Sequence, residues 1–274
     1  MGAVFVTGGF DDLGIRHVRF LHECSRVGEV VVGLWSNAAV TAATGAPPKF
    51  RLAERRYVLE SLKFVNRVVP VEIHQGPQWL PDEGAPKIDV VGCELGGPSA
   101  ELAAARAAAG TLHAELRAFG DRELEGFPEI PVSSPDPSRR RVVVTGCFDW
   151  LHSGHVRFFA EVSHFGELYV VVGHDANVRL LKGESHPRFP QDHRRYMAGS
   201  VRHVHQALVS SGSGWMDAEP EIAVIGAQVY AVNEDGDKPE KREFCRAHGL
   251  EYLVLKRVPA PGLPRRSSTD LRGF

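Results

Sequence analysis

Short apolar runs rich in valine recur along the chain at residues 4–6, 30–34, 68–71, 142–144, 168–172, 229–232 and 252–255. Runs of three to five apolar residues without polar alternation fit strands covered on both faces, as in a parallel sheet. Between them lie stretches with helical spacing, of which residues 53–64 are one. Strands alternating with helices predict an α/β fold with a parallel sheet flanked by helices. Ligands of such sheets sit beyond the carboxyl ends of the strands.

The pattern occurs twice. Val6-Thr7-Gly8-Gly9-Phe10-Asp11 returns 138 residues later as Val144-Thr145-Gly146-Cys147-Phe148-Asp149. His17-Val18-Arg19-Phe20 returns as His155-Val156-Arg157-Phe158 and Gly28-Glu29 as Gly166-Glu167, at the same offset. Arg55-Arg56-Tyr57 pairs with Arg194-Arg195-Tyr196 at an offset of 139. A repeat of this length predicts two tandem Rossmann-like domains, residues 1–132 and 138–274. The Pro-, Ser- and Arg-rich stretch 128–141 is expected to be an exposed linker.

Composition narrows the class without naming an activity. The chain has 274 residues, 43% hydrophobic, with a formal net charge of −2. That is enough apolar content for a sizeable core, and the balance of charge gives no footprint for nucleic acid. Four cysteines without a C-x-x-C pair argue against a disulfide framework or a zinc knuckle. No apolar stretch approaches the roughly 20 residues of a membrane span, and the start of the chain lacks the pattern of a signal peptide, so a cytoplasmic setting is expected. His203 and His205 stand two apart on a strand-like stretch, but no Cys or carboxylate at ligand spacing accompanies them, so no metal site is assigned.

The chemistry concentrates where the apolar run 142–144 meets a helix start: Thr145-Gly146-Cys147-Phe148-Asp149-Trp150-Leu151-His152-Ser153-Gly154-His155. A strand ending in a glycine turn before a helix presents free N–H groups and the positive end of the helix dipole, which together attract phosphate. Histidines at i and i+3 lie on one side of the first helical turn. There they can donate hydrogen bonds to phosphoryl oxygens.

This G-x-F-D-x-x-H-x-G-H run resembles the signature of the cytidylyltransferase-like nucleotidyltransferases. The resemblance implies transfer of a nucleotidyl group, in which a phosphate or phosphonate oxygen attacks the α-phosphorus of a nucleoside triphosphate and pyrophosphate leaves. It makes Thr145, Gly146, Cys147, Phe148, Asp149 and Gly154 nucleotide-binding, and His152 and His155 catalytic. Leu181-Lys182-Gly183 resembles the family's lysine segment, adding Lys182 to the catalytic set. Arg265-Arg266-Ser267-Ser268-Thr269 resembles the second signature, so Arg266, Ser267, Ser268 and Thr269 are expected at the triphosphate, although the preceding Pro261-Gly262-Leu263-Pro264 departs from the family pattern. Asp175, Asn177 and Arg194 are expected near the acceptor substrate. Mg2+ is implied with the triphosphate.

In the first copy Gly14 replaces the first histidine and Arg16 the inner glycine, so that copy is expected to be degenerate and non-catalytic, packed as a built-in partner of the second in an intrachain pseudo-dimer. A homo-oligomer of whole chains is a further expectation. Tandem copies resemble ethanolamine-phosphate cytidylyltransferases, which favours CTP and a small phosphorylated alcohol or phosphonate. The stretch 177–187 resembles the ADP-heptose synthases instead, which leaves an ATP-dependent adenylyltransferase of a sugar phosphate or cofactor precursor as the alternative. A nucleotide-binding protein without turnover is the third reading.

Overall fold

In a computed structural model of the chain, residues 2–72, 86–267 and Leu271 are described. The chain divides into two compact units, Met1–Gly126 and Phe127–Phe274. Each is built on a five-stranded, fully parallel sheet flanked by helices.

In the first unit the strands are β1 (Ala3–Gly8), β2 (Glu29–Trp35), β3 (Arg67–Val71), β4 (Ile88–Glu94) and β5 (Glu115–Phe119), in the order β3-β2-β1-β4-β5. Helices α1 (Ile15–Ser25), α2 (Asn37–Thr44), α3 (Leu52–Glu60), α4 (Ser99–Leu112) and the short α5 (Asp121–Leu124) connect or follow them. The second unit repeats this order with β6 (Arg141–Gly146), β7 (Glu167–Val172), β8 (Val204–Val209), β9 (Val229–Asn233) and β10 (Glu251–Leu255), arranged β8-β7-β6-β9-β10. Its helices are α6 (Ser153–Val162), α7 (Asp175–Lys182), α8 (Gln191–Gly199), α9 (Glu219–Ile225) and α10 (Pro239–Ala247).

The chain winds outward from β1 in one direction and then, through β4, in the other. That reversal makes the crevice between β1 and β4, and between β6 and β9, the topological switch point where ligands of such sheets bind. Central strands are buried on both faces; every residue of β7 is buried, which accounts for its unbroken apolar run. The edge strand β5, Glu-Leu-Arg-Ala-Phe, buries only Phe119, and its charged positions hide it from a search for apolar runs.

Two expectations are corrected. The stretch 53–64 is helical only over Leu52–Glu60, after which it turns toward β3. The unit boundary falls at Gly126, ahead of the predicted linker, because Phe127 packs against His193 and Tyr196 of α8 and Glu129 pairs with Arg195 at 3.6 Å. Beyond that anchor, residues 132–140 are exposed, as a linker should be. Among the described residues no helix is long and apolar enough to cross a membrane.

Candidate nucleotide site

Strand β6 ends at Gly146, and the turn from Cys147 to Leu151 delivers His152 as the N-cap of α6. Phe148 takes a left-handed backbone conformation, φ 49°, which costs a bulky residue about 1–2 kcal/mol. Its ring repays this by packing edge-on against His155 and Phe159, with centroids 5.3 and 5.2 Å apart. Phe10 does the same in the first unit, φ 44° and edge-on to His17. The Gly146 position has no room for a side chain, since a Cβ there would stand 2.9 Å from the Phe148 ring.

His152 is buried and stacks on His155, with ring centroids 3.9 Å apart and planes 22° from parallel. Nδ1 of His152 accepts a hydrogen bond from the Gly154 amide at 3.1 Å. That bond assigns the proton of the neutral ring to Nε2. Nε2 is buried and has no partner, and neither does Nδ1 of His155. Two adjacent buried ring nitrogens without partners are rare in folded proteins and call for an explanation. Burial and the neighbouring His155 push the His152 pKa down, with Arg257 and Arg266 adding to the shift; burial and Arg257 push His155 down to about 4. Both rings are therefore neutral near pH 7.

The rings face a cleft of about 170 Å³ bounded by Thr145, Phe148, Asn233, Asp235, Lys241 and Arg257. A shallow second hollow, walled by Ser153, Lys256, Arg265 and Arg266, shares Gly154, Asn233 and Arg257 with it. The combined space carries several cations at the N-terminus of α6, a setting that favours an extended polyanion. Gly154 is hemmed in: a Cβ there would lie 2.9 Å from His152 Cε1 and 3.2 Å from the Arg266 carbonyl oxygen.

The structure distributes the predicted residues unevenly. Thr145 lines the cleft and shares a 2.6 Å hydrogen bond with the Tyr230 hydroxyl. Cys147 lies in the turn, its thiol pushed up by burial and drawn partly back by Lys182 and Arg194. Lys182 is exposed at the end of α7, near enough for its charge to act on His155 as well. Arg266 walls the second hollow, and Ser267 follows it; Ser268 and Thr269 lie outside the described residues.

Four of the expected contacts are engaged within the protein. Both Asp149 carboxylate oxygens accept from the backbone amide of Arg188, at 2.8 and 2.9 Å, and Oδ1 also accepts from Phe189 at 3.0 Å. Asp11 holds Lys49 and Phe50 in the same way. Arg194 is 1% exposed and donates to the carbonyls of Phe189, Cys147 and Gly173 and to Asp175 Oδ1, all within 2.9 Å. Arg55 repeats the arrangement on Phe50, Gly9, Trp35 and Asn37. Asn177 is buried, its amide spent on both backbone groups of Gly214. Arg194 spends its guanidinium on these braces and Asn177 is held against Gly214, while Asp149 and Asp175 help hold the turn and the end of β7.

Two site residues escaped the sequence. Arg257, just past β10, is partly buried, pairs with Asp235 and donates to the Arg266 carbonyl at 2.8 Å, so it ties the turn after β9 to the C-terminal run. Lys241 on α10 lines the cleft and sits 5.8 Å from the Tyr230 ring centre. Neither belongs to a recognisable motif; only the order of the strands brings them to the histidines.

A switch-point cleft built around paired neutral histidines at a helix N-terminus, with cations on the opposite wall, is a site for handling nucleotide phosphates. Comparison with known proteins agrees. The family described as Cytidylyltransferase-like matches residues 143–273. An FAD synthase of Aciduliprofundum boonei is 34% identical over 138 residues, 48% of this chain and 84% of that protein. One from Methanocella paludicola is 30% identical over 48% of this chain and 93% of its own length. A bifunctional protein HldE of Nitratiruptor is 38% identical over 31% of this chain, and the match spans only 20% of that protein's length. The chain belongs to the cytidylyltransferase-like family and is a nucleotidyltransferase.

Proposed function

We propose that the second unit transfers AMP from ATP to a phosphate monoester, with release of pyrophosphate. The observation that carries the reading is the pair of buried, unpartnered ring nitrogens on His152 and His155, stacked at the start of α6 and facing a cleft lined with cations. An unsatisfied buried donor at a helix N-terminus is a place kept for an anion. The preference for ATP over the expected CTP comes from the relatives: the FAD synthases name a product that contains AMP, and HldE belongs with the ADP-heptose synthases that the 177–187 stretch resembles.

In this reading an acceptor phosphate oxygen attacks the α-phosphorus of ATP, and the bond from that phosphorus to the bridging oxygen of the leaving pyrophosphate breaks. Such a reaction needs alignment and charge neutralisation rather than a covalent nucleophile. His152, neutral with its proton on Nε2, donates to an α-phosphoryl oxygen, on which charge shifts in the transition state, and His155 stacks against it at the same oxygens. Lys182 approaches the phosphates of both reactants, while Arg266 with Ser267, Ser268 and Thr269 receives the pyrophosphate end. Arg257, which donates to the Arg266 carbonyl, ties down the start of that run. Mg2+ would accompany the triphosphate and would supply charge neutralisation there.

The acceptor class that the FAD synthases suggest is a flavin mononucleotide, and the class that HldE suggests is a sugar phosphate. Pyrophosphate release measured with ATP or CTP against flavin mononucleotide, sugar 1-phosphates, phospho-alcohols and phosphonates tests both base and acceptor. Release with ATP and a phosphate monoester is expected; turnover confined to CTP would reject the adenylyl reading.

A further inference from the structure

The two units share one topology, so each residue of the first cleft has a counterpart in the second. The helix that leaves the switch-point strand is α4 in the first unit and α10 in the second. The third residue of α4 is Glu101 and the third residue of α10 is Lys241, a reversal of charge at one position of the fold. Both side chains line their clefts, about 20 Å³ in the first unit and 170 Å³ in the second.

Glu101 does something specific there. Its Oε1 accepts a hydrogen bond from the Gly9 amide at 3.0 Å and lies 2.7 Å from where a Gly8 Cβ would stand. Gly8 and Gly9 form the turn equivalent to Gly146 and Cys147, whose N–H groups are the ones such a turn offers to phosphate. Among the described residues no carboxylate covers the Cys147 amide. Around Glu101 the rest of the anion grip is also spent internally. Arg16 is tied to Glu94, Asp121 and the Leu95 carbonyl, and His17 turns back to accept from the Gly14 amide at 3.2 Å. Burial raises the Glu101 pKa, the Gly9 amide opposes that shift, and Glu94 adds to it. A carboxylate held in that position at such a cost has a reason to be there.

We propose that the Glu101 carboxylate occupies the phosphate position of the first cleft, so that each chain binds one nucleotide, in the second unit, where Lys241 contacts the phosphates from the place Glu101 holds in the first. The Lys241 half rests on the nucleotide-site reading of the second unit; the Glu101 half stands on the first unit alone. The first unit is a nucleotide fold closed by its own side chain, and the charge of one helix residue separates the closed copy from the open one.

The test is the number of inorganic pyrophosphate ions bound by the full chain, measured by titration calorimetry, with ATP in parallel. Pyrophosphate has no base, so an error in assigning ATP leaves its count unchanged. The wild type should bind one. Glu101→Lys should bind two, with turnover unaltered, and Glu101→Ala, which removes the carboxylate without adding a charge, should also admit a second, weaker ion. Two ions bound by the wild type, or one by a folded Glu101→Lys and a folded Glu101→Ala, would overturn the Glu101 assignment. In the second unit, Lys241→Glu should weaken pyrophosphate at least tenfold and raise KM for ATP more than it lowers kcat, with Lys241→Arg restoring most of both; unchanged affinity in Lys241→Glu would overturn the assignment of Lys241. Zero ions in the wild type together with one in Glu101→Lys would contradict the nucleotide-site reading and still support the closed first cleft.

Discussion

A histidine serves phosphate chemistry either as a cation or as a neutral donor, and the surroundings of His152 and His155 select the second role. Burial and the nearby Arg257 oppose protonation of both rings, and His155 adds to this for His152. These two rings should therefore add no limb near the ordinary histidine pKa of 6.5, so any limb that the acceptor phosphate itself contributes at about pH 6 should be the same in the wild type and in His155→Ala. A limb centred between pH 6 and 7 that vanished in His155→Ala would contradict the neutral-donor role. Removing one such donor should lower kcat by about 10²–10³-fold, with a smaller change in KM. Gly154→Ala is a sharper probe, because its methyl group meets the His152 ring and the Arg266 carbonyl. A misplacement of that kind should cost about 100-fold in kcat/KM while the fold survives.

At the scale of elements, the turn between β6 and α6 is held from below by Asp149 and Arg194, just as Asp11 and Arg55 hold its counterpart. Arg194→Ala leaves three buried carbonyls and Asp175 without their donor, a loss of about 3–5 kcal/mol by analogy with broken buried pairs. Arg55→Ala should cost a similar amount in the unit expected to be non-catalytic, measured by urea unfolding. A large rise in KM for Arg194→Ala without loss of stability would instead restore Arg194 as a substrate contact. These braces explain what the sequence could and could not disclose. The repeat preserves Asp11 with Asp149 and Arg55 with Arg194 because both copies need the turn, so retention in the degenerate copy was the sign of a structural role. The histidine motif was legible because it is local. Arg257 and Lys241 were not, because a residue after β10 and one on α10 reach the histidines only through a strand order in which β9 lies beside β6. The strands β4 and β5 went unread for a different reason: polar residues interrupt β4, and β5 sits at an edge.

For the molecule as a whole, several histidines are buried in neutral form. His22, His155 and His193 are each lowered to about 4, mainly by burial, from an ordinary value of 6.5. Below pH 6.5 the unfolded chain takes up protons that the folded chain refuses, so the stability these groups contribute is complete above that pH and is lost as pH falls toward 4. The urea midpoint should therefore fall between pH 7 and pH 5, before most carboxylates titrate, and His22→Phe should flatten part of that slope. An unchanged midpoint across the interval would show that these rings protonate freely in the native state. With a net charge of only −2, the chain offers no broad field to draw in a polyanion, so recognition depends on the local cations of the second unit. The central claim is that this one cleft performs adenylyl transfer. Pyrophosphate release by the wild type and by His152→Ala, with ATP and CTP each offered flavin mononucleotide and sugar phosphates, tests it most directly. ATP-dependent release with a phosphate monoester, reduced at least 100-fold in the variant, is the predicted result; equal release by the variant, or release with CTP alone, would contradict it.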